Sequence, residues 1–73
     1  MNLGKYQHYK GNFYEAIGIA HDSETLAELV VYRALYNSED FGDNALWVRP
    51  KAEFFGTVTV DGEEVPRFRP VSN

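Results

Sequence analysis

The chain has 73 residues, a formal net charge of −4 and no cysteine. A domain of this size buries only about 60% of the surface that its unfolded chain exposes, so most of its five tyrosines, five phenylalanines and one tryptophan are expected to be structural. The lack of cysteine excludes a disulfide framework, a thiolate metal site and a cysteine nucleophile, and the acidic balance disfavours a general nucleic-acid binder.

The first residues, "MNLGKYQHYKGN", lack the apolar run of about 7–15 residues that a signal peptide needs. No segment approaches the roughly 20 apolar residues of a membrane span. We therefore expect a single cytoplasmic domain over residues 1–73, without membrane association.

The N-terminal stretch predicts a β-hairpin. Residues 5–9 alternate as a strand requires, and Lys10-Gly11-Asn12 supplies a tight turn into a second strand from Phe13 to Ala20. The alternation assigns four side chains to the core, namely Tyr6, Phe13, Ile17 and Ile19. The opposite face of the second strand is lined by Tyr14, Ala16, Gly18 and Ala20, where small side chains would let a backbone or a ligand approach.

The segment "HDSETLAELVVYRALY" is compatible with two structures. Thr25 and Glu28 have capping-box spacing, which would begin a helix over residues 26–36. The β-branched and aromatic run Val30-Val31-Tyr32 instead favours a strand. We predict a short helical turn over residues 23–28, followed by a strand over residues 29–35.

The C-terminal half predicts two more strand units. After the polar loop "NSEDFGDN", the strand "ALWVRP" ends at Pro50, and a helical turn in "PKAEFF" is expected to close one end of a barrel with Phe54 and Phe55.

In "TVTVDGEEVPRFR", Asp61-Gly62 predicts a type I′ turn. That turn pairs Val60 with Glu63, and it pairs Val58 with Val65. Pro66 has no N–H to donate, which places the final strand at a sheet edge.

These elements together predict a mostly β fold, a small SH3-like, partly open antiparallel β-barrel of five or six strands with one or two short helical turns. Side chains fill a barrel of this size, so a ligand must bind at its mouth or on an exposed face.

Candidate ligand-binding residues combine rings for stacking with polar groups for recognition: Tyr9, Tyr14, Tyr32 and Trp47, with His8, Lys10, Arg33 and Arg49. The alternatives are structural. His8 can pack in the core, and Arg33 or Arg49 can pair with Glu15 or Glu28 or stack on a ring.

The polar run after the second strand also has two interpretations. His21 would serve as a general base oriented by Asp22 or Glu24, or else Ser23 or Thr25 caps a helical turn. Two histidines thirteen residues apart lack the ligand spacing of a structural zinc site, so no metal or cofactor is expected.

The stretches "KYQHYKGNFYEAIGIA", "SET", "LVVYRALY" and "LWVRP..EFF" resemble the short bacterial proteins grouped as domain-of-unknown-function family 1653. The resemblance runs from about Gly4 to Phe68 and implies a small stand-alone soluble protein, but it implies no particular activity, cofactor or substrate. In the family pattern a histidine directly precedes "SET" and a methionine precedes the phenylalanine after "WVRP", where this chain has Asp22 and Glu53.

We predict a non-catalytic binding module for a small ligand or peptide at an aromatic and arginine groove, as a monomer or weak homodimer. A nucleic-acid binder is the first alternative, and it needs one shared face for the basic residues Arg33, Arg49, Lys51, Arg67 and Arg69. A small enzyme that uses His21 or His8 is the second.

Overall fold

The computed structural model describes residues 3–71 of the chain. In chain order the elements are β1 (Gly4–His8), β2 (Phe13–His21), β3 (Glu28–Ala34), β4 (Asn37–Ser38), β5 (Gly42–Asp43), β6 (Leu46–Pro50), α1 (Lys51–Phe54), β7 (Thr57–Val60), β8 (Glu63–Pro66) and β9 (Phe68–Pro70). All the strand pairs are antiparallel. The predicted mostly β, antiparallel class is therefore confirmed, with one short helix in the described part of the chain.

The main sheet has five strands in the order β6-β3-β2-β1-β9. Within residues 3–71 no pairing joins β6 to β9, so these two strands are open edges and the sheet does not close into a barrel. Two further sheets have two strands each, β4-β5 and β7-β8. The second of these is the predicted C-terminal hairpin.

β3 settles the choice between helix and strand in favour of the strand. It pairs with β2 on one side and with β6 on the other, so its β-branched run lies in the middle of the sheet. The preceding turn follows the prediction only in part. Leu26 N–H donates to Asp22 C=O at 2.8 Å, which makes a single turn over residues 23–25 that begins where predicted and ends earlier.

Asp22 caps this turn in place of the predicted Ser23 or Thr25. Its Oδ1 accepts the backbone N–H groups of Glu24 at 2.8 Å and Thr25 at 3.0 Å. These hydrogen bonds lower the pKa of the Asp22 carboxyl, because they stabilise its ionised form. Leu26 follows with φ of +63°, which ends the turn.

The core lies between one face of the main sheet and α1. Its buried side chains are Tyr6, Ala16, Val30, Tyr32, Phe54 and Phe68. The Phe54 and Phe68 rings stack with centroids 4.1 Å apart and an interplanar angle of 7°. The predicted helical turn after Pro50 is confirmed, but the two rings do not act together at a barrel end, because Phe54 is buried in the core and Phe55 is 43% exposed.

The predicted faces of β2 were wrong over most of the strand. Phe13 is 37% exposed and Ile17 is 38% exposed, whereas Ala16 is buried and Tyr14 packs against the core. Tyr14 faces inward because it lies opposite the buried Tyr6 in the β1–β2 register. The register with β3 then shifts between Ala16 and Gly18, which is a β-bulge.

The bulge explains why the predicted position of Ile19 is correct. An extra residue in β2 exchanges the two faces beyond it, so Ile19 packs against the core as predicted although Ile17 does not. Tyr6 is buried, as predicted. A strict two-residue alternation cannot describe a strand that contains a bulge.

The C-terminal hairpin has the predicted register, with Val60 opposite Glu63 and Val58 opposite Val65. Asp61 and Gly62 have φ angles of +51° and +81°, which are those of a type I′ turn. Pro66 ends β8 opposite Thr57, in a two-stranded sheet where each strand is an edge.

Candidate functional site

Strand register brings five of the eight predicted ligand-binding residues to the core face of the main sheet. Trp47 lies opposite the buried Tyr32, and Arg49 lies opposite the buried Val30. Because residues directly opposite each other share a face, both side chains belong to the core side. By the same register, His8 lies opposite the buried Phe68, and Tyr14 lies opposite the buried Tyr6.

Three predicted residues lie elsewhere. Tyr9 and Lys10 follow the end of β1, and the Lys10 Nζ is 5.8 Å from the centroid of the Tyr9 ring. Arg33 lies opposite Glu15 and Leu46 on the outer face, where its Nη1 is 3.8 Å from Glu15 Oε1. The sheet itself therefore separates Arg33 from Arg49.

His8 sits in an aromatic surround at the end of β1. Its ring centroid is 4.8 Å from that of Phe68, 4.5 Å from that of Tyr9 and 6.2 Å from that of Tyr14. Its Nδ1 accepts the Lys10 backbone N–H at 3.2 Å. In the neutral ring the proton then resides on Nε2, which is a hydrogen-bond donor.

The pKa of His8 is lowered from its ordinary value. Burial contributes most, since it disfavours the charged ring, and the positive charges of Arg49, Arg67 and Lys10 lower the pKa further. His8 is therefore neutral at pH 7. The same interactions show that these three cations lie within electrostatic reach of one imidazole.

Tyr14 and Tyr32 are aromatic residues that connect His8 to the core, since the His8 and Tyr14 rings also contact each other. The Tyr14 and Tyr36 hydroxyls are hydrogen-bonded at 2.9 Å, and burial together with this bond raises the pKa of Tyr14. The Tyr14 and Tyr32 rings meet edge to face at 5.3 Å. Tyr32 is buried, so it supports the site from below and offers no free face for stacking.

Three buried N–H groups have no hydrogen-bond partner within residues 3–71, namely Trp47 Nε1, Arg49 Nε and Arg67 Nε. Arg49 has one weak charge partner, because Glu53 Oε1 lies 3.7 Å from its Nη1 and Glu53 is largely exposed. Arg67 takes part in none of the three ion pairs of the described residues. Two of the three unpaired donors therefore belong to arginines whose charges act on His8.

Arg67, Tyr36 and Phe41 are the residues of this site that the predicted set lacks. Phe41 packs edge to face on Trp47 with ring centroids 4.9 Å apart. Arg67 is joined to β1 by its backbone, since the Tyr9 N–H donates to Arg67 C=O at 2.9 Å. The only sequence signal for Arg67 was its place among the basic residues beside predicted strands.

A cleft of about 330 Å³ adjoins His8 on the side of the C-terminal hairpin. It is lined by Gln7, His8, Tyr9, Val60, Val65, Pro66 and Arg69. Arg69 Nη2 donates to Gln7 Oε1 at 2.9 Å. The cleft therefore has a mostly apolar lining that also includes the polar side chains of Gln7 and Arg69.

The alternative sites are less well formed. His21 ends β2 opposite Glu28, whose carboxylate lies 3.2 Å from Lys51 Nζ, and the Asp22 carboxylate is engaged by the turn. In the stretch 3–71 no three histidine, aspartate or glutamate side chains lie close enough to hold a metal ion. Arg33 and Arg69 lie on the outer face and Arg49 on the core face, so the basic residues do not share one surface.

Residues 4–70 match the family described as "Protein of unknown function (DUF1653)". The chain belongs to the DUF1653 family. It is similar to a protein of this family from Bordetella bronchiseptica whose crystal structure is solved, with 34% sequence identity, a TM-score of 0.85, and coverage of 97% of this chain and 87% of that one. None of the curated proteins matches the chain.

This DUF1653 chain departs from the family pattern directly before "SET", and the structure shows what the different residue does there. The position holds Asp22, and its carboxylate caps the turn between β2 and β3.

No helix in residues 3–71 is long and apolar enough to cross a membrane.

Proposed function

We propose that this DUF1653 protein is a non-catalytic binding module that recognises the anionic group of a small ligand or peptide. The proposed anion site consists of His8, Trp47 and Arg49 on the core face of the main sheet, together with Arg67 beside the end of β1, whose charge acts on His8. The observation that carries the proposal is the set of three buried N–H donors without a partner, two of them on arginines.

Unpaired buried donors are costly. Each one costs about 1–3 kcal/mol relative to a hydrogen-bonded state, so native structures retain few of them without a reason. A carboxylate or phosphate supplies several acceptor oxygens and a compensating charge, and guanidinium groups bind such oxygens with short, charge-assisted hydrogen bonds. An anion would also accept the Nε2–H of neutral His8.

The adjoining cleft supports a ligand with an apolar or planar body. His8 belongs both to the anion site and to the wall of the cleft, so a single molecule can place its charged end near Arg67 and its body against Tyr9, Val65 and Pro66. Exposed Lys10, whose Nζ is 5.8 Å from the centroid of the Tyr9 ring, adds positive charge beside this residue of the cleft. Binding is favoured over catalysis, because the Nδ1 of His8 is engaged by its own turn.

The proposal also includes a more specific description of the fold than a mostly β, antiparallel class. We infer that the main sheet curls into an SH3-like, partly open barrel with the anion site at its mouth. The support is electrostatic, since β6 and β1 are separated by β3 and β2 in the sheet, yet the charge of Arg49 acts on both His8 and Tyr14. A flat sheet would hold these groups further apart.

The proposal is tested by thermal unfolding with phenyl phosphate, which joins a phosphate to an aromatic ring, at constant ionic strength. The wild-type melting temperature should rise with ligand concentration, because a ligand that binds only the folded state stabilises it by about 2.7 kcal/mol at a hundred times its dissociation constant. Arg67→Met should remove the rise.

Arg33→Met is the matched control, because it removes an arginine from the outer face and should leave the rise unchanged. Without ligand, Arg67→Met should be at least as stable as the wild type, since the change removes an unpaired buried donor. An equal ligand-induced rise in the two variants would contradict the proposed site.

A further inference from the structure

We propose that the free edge of β6 pairs with β6 of a second copy of this chain, which forms a two-fold symmetric, antiparallel dimer with a continuous sheet across both copies. The proposal does not depend on the anion site. It rests on the hydrogen-bonding groups and the side chains that this edge presents.

The orientation of the β6 backbone follows from one hydrogen bond. Ala34 N–H donates to Ala45 C=O at 2.8 Å, just before Arg33 pairs with Leu46 in the β3–β6 register. Hydrogen-bonded residues alternate along an antiparallel pair, so Trp47 and Arg49 point their backbone groups toward β3. The N–H and C=O groups of Leu46 and Val48 then point away from the sheet.

These two residues define a single symmetric register. When Leu46 lies opposite Val48 of the second copy, the two-fold symmetry also places Val48 opposite Leu46 of that copy. Each residue of these two pairs has a free N–H and a free C=O, so each pair exchanges two hydrogen bonds. A register that places Val48 opposite its own copy brings Leu46 against Pro50, which has no N–H. A register that centres on Leu46 brings Val48 against Asn44, whose φ of +51° is not that of a strand.

The side chains fit the same arrangement. Leu46 and Val48 are 60% and 58% exposed, and both lie on the outer face, where Val31 is the neighbour of Val48. Pairing through β6 joins these residues to their copies in one apolar strip. Arg33 stays at the flank of the strip with Glu15, so no two like charges face each other across the axis.

The opposite edge of the sheet is protected. Tyr9 N–H donates to Arg67 C=O and Val71 N–H donates to Lys5 C=O, so by the same alternation Phe68 and Pro70 face outward from β9. Pro70 has no N–H, and a proline at this position is a common device against edge pairing. A two-fold β6 contact therefore closes the main sheet at two copies, because its remaining edge in each copy is β9 with Pro70.

Sedimentation equilibrium over a range of concentrations tests the dimer. The average mass of the wild type should rise from 8.3 kDa toward twice that value as the concentration increases. Val48→Pro should stay monomeric, because it removes an outward N–H and no bond of the sheet. Leu46→Lys places a charge on the same strip without altering the backbone, and it should also stay monomeric. It tests the dimer even if Val48→Pro does not fold.

Ile17→Lys is the control, because Ile17 is an exposed outer-face residue of β2 that lies away from the edge. This variant should form the dimer as readily as the wild type. Amide hydrogen exchange adds a local measurement, in which the Leu46 and Val48 amides should become protected only at high concentration. A wild type that remains monomeric at millimolar concentration, or a dimer that survives both edge variants, would overturn the proposal.

Discussion

His8 keeps its imidazole neutral because burial and three nearby cations all disfavour the charged ring. The folded-state pKa therefore lies below the unfolded value of about 6.5. As the pH falls, the unfolded chain takes up this proton before the folded protein does, so the stability linked to His8 is complete above pH 6.5 and is lost below it.

This linkage predicts the behaviour of His8→Gln. Between about pH 7 and pH 5, the free energy of unfolding should fall less steeply for the variant than for the wild type, because the variant no longer titrates at this position. Urea unfolding at a series of pH values measures both slopes. A wild-type slope that is no steeper than that of the variant would show that the folded environment does not lower the His8 pKa.

Phe54 and Phe55 are adjacent in sequence but differ in burial, which makes them a matched pair. Phe54 is fully buried and stacks on Phe68, so Phe54→Ala should lower the free energy of unfolding by about 3–5 kcal/mol. Phe55→Ala should cost about 1 kcal/mol or less, since its ring is partly in water. Urea unfolding of both variants tests the order, and equal losses would contradict the assigned core.

The face on which a side chain lies is predictable where a strand alternates regularly between apolar and polar residues. It is not predictable where both faces of a strand carry similar residues. Tyr6 was assigned to the core correctly. Arg33 and Arg49 looked alike, because each interrupts or ends an apolar run, and only the pairing of β3 with β2 and β6 puts them on opposite faces.

At the scale of elements, short-range chemistry predicted turns well. The Asp61-Gly62 dipeptide specified both the turn type and the register of β7 and β8, because a type I′ turn requires two residues that tolerate positive φ. The bulge in β2 has no comparable local signal. It arises from pairing with β3, and beyond it Ile19 lies on the core face as predicted, whereas the predicted inward positions of Phe13 and Ile17 are wrong.

The hairpin turn allows a matched test with two glycines. Gly62 has φ of +81°, so Gly62→Ala should destabilise the protein by roughly 1 kcal/mol, the usual cost of a Cβ in this region. Gly18 has no positive φ and nothing within 4 Å of an added Cβ, so Gly18→Ala should leave stability unchanged or raise it. Thermal unfolding of both variants measures the difference, and a larger loss for Gly18→Ala would contradict the assigned backbone.

At the scale of the whole molecule, the net charge of −4 conceals a local concentration of positive charge. Lys10 is close to His8 in sequence, whereas Arg49 and Arg67 come from distant parts of the chain, and folding brings their charges within reach of His8. Composition cannot show this. For the same reason Arg67 was missed, because its role depends on where the chain between β8 and β9 crosses the end of β1.

The proposed anion site binds through its unpaired donors, and Trp47 provides a direct reporter because it is the only tryptophan of the chain. A ¹H–¹⁵N NMR titration with phenyl phosphate would follow its single indole N–H signal together with the Nε–H signals of Arg49, Arg67 and Arg33. We predict saturable shifts for Trp47, Arg49 and Arg67, with Arg33 unchanged as the outer-face reference. If the Trp47 and Arg67 signals stay in place, or move no more than that of Arg33, the proposed site is contradicted.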